Sequence, residues 1–192
     1  MGVKVGKYSG MNVEKHDLAA QLARAAPVGV GRVEFLMNRP SEGVHVPVDE
    51  LYLDVDTGIR GDRWRDTAWL RLPDGQPDPR VQVSLTNTQV IRAFTGEAPE
   101  SHFRCGDNFY VDLNLTEAAL PVGALIEIGE AILEVSDVEN DACGKFAQRF
   151  GAEAFQCVRQ KKHLPLRLRG VFCAIRQSGK VQVGDLVQLS AD

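Results

Sequence analysis

The chain has 192 residues, with 44% hydrophobic and 25% charged side chains and a net charge of −4. These values are typical of a soluble globular domain, and four cysteines are too few for a disulfide scaffold. No apolar run approaches the ~18 residues of a membrane span, and Met1–Gly10 lacks the apolar stretch of a secretory signal. We therefore expect a cytoplasmic protein without a membrane partner.

The order of the predicted elements favours a mainly β fold with a few helices. The helical spacing of Leu18, Leu22 and Ala25 predicts a first helix over Val13–Ala26, which Pro27 ends. Runs with period-two alternation then follow one another, and this order is typical of a barrel or sandwich rather than a doubly wound α/β sheet. The predicted strands are Val28–Met37, Val44–Val48, Leu51–Val55, Arg80–Leu85, Phe109–Leu113, Ala124–Ile128, Ala131–Val138, Arg169–Arg176 and Leu186–Leu189.

Turns and short helices separate these strands. Gly129-Glu130 lies between two alternating runs, which predicts a tight β-hairpin. Arg71–Arg80 contains three prolines and a glycine, so we expect a loop. The chain is thus divided into an N-terminal helical extension over residues 1–27 and a β-barrel domain over residues 28–192. The predicted short helices are Asn87–Phe94, Cys143–Phe150 and Glu153–Lys162.

Charge is distributed unevenly along the chain. Residues 154–184 hold seven basic side chains and no acidic one, whereas residues 1–153 carry a net charge of −9. Nucleic-acid binding needs a broad positive surface, so we expect no nucleic-acid partner. The basic stretch suits a small anion, an anionic cofactor or an acidic partner, and it is equally consistent with a solvated basic face.

The segment Thr57–Arg65 is a second candidate for anion binding. It holds two glycines and three arginines directly after a predicted strand, where backbone N–H groups and guanidinium groups can bind an anion together. The alternative is a surface turn in which Asp62 pairs with an arginine. No P-loop is present, and the Gly-x-Gly at residues 29–31 lacks the third glycine and the helix of a dinucleotide-binding motif.

Cys143 differs from the other cysteines in its setting. Asn140 or Asp141 can cap the following helix and place Cys143 in its first turn, where the helix dipole and Lys145 favour the thiolate. A thiolate in positive surroundings serves as a nucleophile, a sulfur carrier or a soft-metal ligand. The alternative is a half-buried cysteine without a chemical role. Cys173 lies in an apolar strand and is expected to fill the core.

Five short motifs follow one another along the chain with consistent spacing. They are Gly58-Ile-Arg-Gly-Asp-Arg63, Cys105-Gly-Asp-Asn-Phe109, Leu120-Pro-Val-Gly123 with Ile128-Gly-Glu-Ala-Ile-Leu-Glu-Val135, Ala142-Cys-Gly-Lys145 and Gly179-Lys-Val-Gln-Val-Gly-Asp185. Each is weak alone, but together they make the chain resemble the MOSC domain, the molybdenum-cofactor sulfurase C-terminal family, from about Val30 to Leu189. The resemblance implies a closed, strand-rich β-barrel with peripheral helices, which agrees with the strand pattern.

The resemblance also implies a role for Cys143. The family's hallmark cysteine lies in a Pro-Cys-x-Lys pattern, which Cys143 and Lys145 match and in which Ala142 replaces the proline. In related reductases the equivalent cysteine is the molybdenum ligand, and in sulfurases the domain is proposed to carry sulfur. The implied catalytic residues are therefore Cys143 and Lys145, with Cys143 as the metal ligand.

Molybdopterin, the implied cofactor, sets the chemistry of the expected site. It carries a phosphate and dithiolene sulfurs, so its site needs cationic donors and a soft thiolate. We expect arginines of residues 57–65 and of the basic stretch to hold the phosphate. The family's Gly-Glu-Asn-Leu motif corresponds to Gly106–Phe109, which retains an asparagine able to bond the pterin. The candidate cofactor-binding residues are Arg60, Asp62, Arg63, Arg65, Asn108, Arg167 and Arg169.

Three functions stay open at this point. The first is removal of oxygen from N-hydroxylated or similar small molecules, with electrons from a separate reductase because the chain lacks a four-cysteine iron–sulfur cluster. The second is a sulfur carrier in which a separate cysteine desulfurase loads a persulfide onto Cys143. The third is an anion-binding module without chemistry. The pattern predicts no oligomeric state.

Overall fold

A closed seven-stranded barrel forms the centre of the molecule, so the predicted mainly β fold with peripheral helices is confirmed. The computed structural model describes residues 9–96 and 103–190, with side chains from residue 17 onward. The strands are β1 (Val30–Asn38), β2 (Val46–Val48), β3 (Glu50–Asp54), β4 (Gly58–Ile59), β5 (Val83–Asn87), β6 (Phe109–Asp112), β7 (Leu125–Ile128), β8 (Ala131–Val135), β9 (Val171–Gln177), β10 (Gly179–Gln182) and β11 (Leu186–Leu189).

Strand β1 closes the barrel by pairing on both sides. The strands follow the order β11-β7-β8-β9-β5-β6-β1, and the first three residues of β1 pair antiparallel with β11. The β5–β6 pair is parallel. The last residues of β1 pair with β2, while β10, β3 and β4 form a separate three-stranded sheet. Inward side chains such as Val33, Leu85 and Leu133 are fully buried and fill the barrel.

The helices pack on the outside of the barrel against a second apolar cluster around Met37, Tyr110 and Phe146. Because the side chain of Asn87 accepts a hydrogen bond from the N–H of Val90, the chain turns from β5 directly into a helix. Within the described residues, no helix has both the length and the apolar character to cross a membrane. The helices are α1 (Ser9–Ala25), α2 (Trp64–Thr67), α3 (Thr88–Thr95), α4 (Gly144–Phe150) and α5 (Ala152–Val158), with 3-10 turns at Pro79–Val81 and Leu164–Leu166.

Each of the nine predicted strands is present, with ends shifted by a few residues. The predicted first helix begins earlier, at Ser9, and residues 1–8 of the predicted extension lie outside the described residues. The last predicted helix ends at Val158, because the chain turns back and the imidazole of His163 lies 2.8 Å from the carbonyl oxygen of Cys157. Sequence patterning missed β4, β10 and α2, which are too short for a periodic signal and form through pairing with distant segments.

Gly31→Ala is expected to lower the free energy of unfolding by about 3 kcal/mol, because the new methyl group would overlap the carbonyl oxygen of Asp112 where β1 closes the barrel. Urea unfolding followed by tryptophan fluorescence measures the change. Gly144→Ala is the control, since a Cβ there meets no atom within 4 Å, and its effect should stay below about 0.5 kcal/mol. Equal effects in the two variants would contradict this account of barrel closure.

Candidate functional site

A buried ion pair at the end of β1 organises the candidate site. Arg39 donates two hydrogen bonds to the Asp62 carboxylate, at 2.8 and 3.1 Å, and the Asp62 side chain is only 1% exposed. The same carboxylate accepts hydrogen bonds from the Asn108 side chain at 3.0 Å and from the backbone N–H of Trp64 at 2.8 Å. Asp62 is thus fully paired, and it ties together the loops that follow β1, β4 and the Cys105–Gly106 turn.

Asn108 lies beneath the site and supports it. Its side-chain oxygen accepts from the N–H and the hydroxyl of Ser84 at 3.2 and 3.3 Å. Its side-chain nitrogen donates to Asp62 and to the carbonyl oxygen of Met37. Asn108 is fully buried, so these four bonds use its whole hydrogen-bonding capacity within the protein.

A second buried ion pair joins Arg169 to Asp107. Arg169 also donates to the carbonyl oxygen of Cys105 at 3.0 Å, and its guanidinium lies over the ring of Phe146 in α4. The carbonyl oxygen of Arg169 accepts a hydrogen bond from the Asn140 side chain at 2.9 Å. Arg169 therefore fixes the position of α4, and of the segment that precedes it, against the Cys105–Asp107 turn.

Cys143 is the only exposed cysteine of the four, and it lies directly before α4. It occupies the N-cap position, so the prediction that it lies in the first turn is wrong by one residue. Neither predicted cap residue caps the helix. Asn140 bonds the carbonyl of Arg169 instead, and Asp141 pairs with Arg159 at 2.9 Å.

Ala142, the residue before Cys143, has a left-handed backbone with φ of +67°. Only two residues other than glycine have a positive φ among those the structure describes, and Ala142 is one of them. Left-handed φ carries a steric cost for alanine, so the tethers on either side must hold it in place. These tethers are the bonds of Asn140, Asp141 and Lys145.

Lys145 connects α4 to the loop that follows β1. Its ammonium pairs with the exposed carboxylate of Glu42, and this contact holds the pKa of Glu42 below its usual range. The loop from residue 39 to residue 45 therefore runs alongside α4. The ammonium of Lys145 therefore has Glu42 as its ion-pair partner.

Three arginines surround His45 at the other end of the same helix, and we call Arg39, Arg63 and Arg149 the arginine cluster. Arg39 and Arg149 lie beside Gly106, and Arg63 is bonded to the backbone of Arg39. Arg39 donates to the carbonyl oxygen of Gly106 at 3.2 Å, and Arg63 donates its backbone N–H to the carbonyl of Arg39 at 2.9 Å. A Cβ on Gly106 would lie 2.9 Å from Nε2 of His45 and 3.6 Å from Nη1 of Arg149, so only glycine leaves room for both.

The arginine cluster keeps unpaired positive charge and unpaired donors. Neither Arg63 nor Arg149 forms an ion pair with a carboxylate of the described residues. Arg63 donates to the hydroxyl of Thr67 at 2.8 Å, but its Nε is buried and has no hydrogen-bond partner. Arg149 donates to the carbonyl of Arg104 at 2.6 Å. Such an excess of positive charge is the chemistry of an anion site.

Burial, followed by the charges of the arginine cluster with Arg149 first, lowers the pKa of His45 below 6.5, while Asp107 acts in the opposite direction. The ring is therefore neutral at neutral pH. Its two nitrogens form no hydrogen bond with any residue of the described segments.

The other predicted cofactor-binding residues lie apart from this cluster. Arg60 stacks on Tyr52 at 4.4 Å on the small sheet, and Arg65 is exposed on α2. Arg167 donates to the carbonyl oxygens of Leu120 and Leu115, at 2.6 and 3.4 Å. Of the predicted arginines, only Arg63 joins the cluster. In the basic stretch, four of the seven cations pair with carboxylates from elsewhere in the chain; these are Arg159, Arg169, Arg176 and Lys180.

Sequence reasoning missed three residues of the site, namely Arg39, His45 and Arg149. Arg149 could have been found from its place in the helix predicted after Cys143, and Arg39 from its place at the end of a predicted strand. No sequence signal marks His45, because its neighbours come from segments that are far apart in the chain.

Comparison with known proteins places these features in context. The family model of the MOSC domain matches residues 75–188, more than half of the chain. The crystal structure of the YuaD protein from Bacillus subtilis has a TM-score of 0.60 at 21% identity, covering 87% of this chain and 100% of that one. YiiM from Escherichia coli has a TM-score of 0.56 at 20% identity, covering 84% of this chain and 70% of that one. At such identities the likeness concerns the fold, and no curated protein sequence matches the chain.

Native protein at about pH 8 should take up one iodoacetamide per chain, at Cys143, because thiolates react and the other thiols are buried. Burial raises the pKa of Cys105 to about 12, of Cys157 to about 11 and of Cys173 to about 12. Intact mass spectrometry measures the uptake. Cys143→Ser should take up none until urea exposes the three remaining thiols, and fast labelling of the native variant would contradict the assignment.

Proposed function

This chain belongs to the MOSC domain family, and from that premise we propose that it binds a molybdenum cofactor through Cys143 and reduces small N-oxygenated compounds. The observation that carries the proposal is the arrangement along α4. An exposed thiol precedes the helix, and Arg149 of the arginine cluster lies at its other end. The two are six positions apart, or about 9 Å along a helix axis.

The residues present fit the chemistry of molybdopterin. A thiolate is a soft ligand suited to a metal that also binds dithiolene sulfurs. The phosphate end of the cofactor needs cations that are not already paired with carboxylates, and Arg63 and Arg149 meet that condition among the described residues. The thiol and the cluster thus match the two ends of one ligand.

Each part of the site has a separate task in this proposal. Cys143 binds the metal, and Arg63 and Arg149 bind the phosphate. Asp62 and Asn108 hold the loop of Arg63 and the Gly106 turn at a fixed separation through their mutual hydrogen bond. Arg169, fixed by Asp107, keeps α4 and therefore the thiol in position. The carboxylate of Glu42 holds Lys145 beside the first turn of the helix.

When bound, the cofactor supplies two-electron oxygen-atom transfer. Reduction of an N-hydroxyl group consumes two electrons and two protons and yields an amine and water. We propose that a separate reductase supplies the electrons and that solvent supplies the protons. Val44 and Val46, the neighbours of His45 in the chain, are exposed and offer a small, partly apolar substrate a surface to contact.

Protein purified from a host that makes the cofactor should contain about one molybdenum atom per chain, and Cys143→Ser should contain less than about one tenth of that amount, because the thiolate is the protein's ligand. Elemental mass spectrometry on both measures this. Gln148→Ala, an exposed position on the same helix, is the matched control and should keep full occupancy. Equal molybdenum in wild type and Cys143→Ser, or none in wild type, would overturn the proposal.

A sulfur carrier is the second candidate, and the exposure of Cys143 favours it. A persulfide passes between proteins only when the carrier thiol can meet the donor directly, and the surface position of Cys143 allows this. In this case the arginine cluster would bind the anionic acceptor of the sulfur. A separate cysteine desulfurase would be the partner.

Incubation with a cysteine desulfurase and cysteine should then add one sulfur atom per chain at Cys143, and a reducing thiol should remove it. Intact mass spectrometry before and after reduction gives the result. Cys143→Ser should gain nothing. Addition of sulfur to the variant as well, or to neither protein, would count against the carrier role.

A further inference from the structure

His45 is an unusual imidazole because it is half-buried among cations and has open hydrogen-bonding positions. Its Nε2 faces the Gly106 backbone, near the guanidinium of Arg149. In contrast, buried His163 contacts the carbonyl oxygen of Cys157 at 2.8 Å. Within the described segments, His45 thus has free ring nitrogens at the place where unpaired arginine charge accumulates.

We propose that His45 is a proton-linked ligand of an oxyanion: a phosphate-type group binds to Arg63 and Arg149, the ring takes up one proton from solvent, and the imidazolium donates a hydrogen bond to the anion. This extends the oxyanion part of the proposed function and does not depend on molybdenum. His45 then binds the oxyanion together with the arginines, and each bound anion is accompanied by uptake of one proton.

Charge around the ring determines the direction of the linkage. Without the anion, Arg39 from the end of β1, Arg63 from the β4–α2 loop and Arg149 from α4 all disfavour a protonated ring, and Asp107 favours it. On the loop of His45 itself, Glu42 is paired with Lys145. A bound oxyanion neutralises the unpaired arginine charge, so the imidazolium becomes more stable than in the free protein.

Reciprocity then connects proton uptake to affinity. If the anion raises the ring's affinity for a proton, a proton raises the affinity for the anion by the same factor. Binding therefore strengthens as pH falls through the window between the pKa of the free ring, which lies below 6.5, and the higher pKa of the ring in the complex. Above that window the ring is neutral in both states and the affinity levels off.

Sulfate is the probe of choice, because its charge does not change over the range tested. Calorimetric titration at constant ionic strength should show sulfate binding about fivefold tighter at pH 5.5 than at pH 8. The affinity of His45→Gln for sulfate should not change with pH and should stay close to the weak affinity of the wild type at pH 8. In NMR titrations, saturating sulfate should raise the pKa of the His45 ring by at least about 0.7 units, because the fivefold change in affinity sets the lower limit of the shift. The His45→Gln spectrum assigns the signal.

Two arginine variants test the location of the anion. Arg63→Gln should weaken sulfate binding about tenfold, whereas Arg65→Gln, which removes the same charge two residues away on exposed α2, should leave it within about twofold. Thermal melting shows that each variant is folded.

Equal pH profiles in wild type and His45→Gln would overturn the inference, as would equal effects of the two arginine variants or the lack of saturable sulfate binding in wild type. A protein that loads molybdenum through Cys143 but fails these tests keeps the proposed function and loses only the role of His45. Proton-linked sulfate binding without molybdenum loading would support the role of His45 and contradict the proposed function.

Discussion

The carboxylate of Asp62 is the constraint on which the site depends. Its four hydrogen bonds reach Arg39 after β1, Trp64 at the start of α2 and Asn108 before β6. Loss of one partner of such a buried pair leaves the other charge unsatisfied, at a cost of about 3–5 kcal/mol. The pair also occupies donors of Arg39, although the charge of Arg39 still acts on His45. Within the site, Arg63 and Arg149 have no carboxylate partner among the described residues, while Arg39 and Asp62 act as the frame.

The length of one short helix, α4, sets the distance between the thiol and the arginine of the candidate site. Helix α4 has a thiol at one end and an arginine at the other, and its separation from the barrel is held by three independent contacts: Lys145 with Glu42, Arg169 over Phe146, and Arg149 with Arg104. Because the helix has a fixed rise per residue, a ligand that bridges its two ends is selected by length as well as by charge. The barrel itself contributes rigidity, and the chemistry lies in the loops around it.

The sequence predicts the barrel well because its strands are mostly local patterns. Alternation over residues 124–135 specifies a hairpin without reference to the rest of the chain, and β7 and β8 pair as expected. The sequence predicts the candidate site less well than the barrel, because the site depends on contacts between distant segments. Asn108 stands out in the sequence as a polar residue in a motif and Arg169 as a cation of the basic stretch, but both are buried and bond within the protein. The basic stretch loses most of its charge to carboxylates up to 130 positions away, such as Glu50, which only folding brings near Lys180. Arg39 and His45, from the loop after β1, and Arg149, from α4, converge on Gly106, and no linear pattern records that convergence.

The left-handed backbone at Ala142 sets this loop apart from the Pro-Cys-x-Lys pattern that the sequence resembles. Proline fixes φ near −65°, so a proline cannot take the conformation that Ala142 has. A proline at position 142 would therefore require the backbone to leave the left-handed region, and the bonds of Asn140 and Asp141 hold the chain on either side of that turn. Glycine is the residue that takes this φ without steric cost. The path of the chain to the cysteine is thus specified by its neighbours and not by the side chain at position 142.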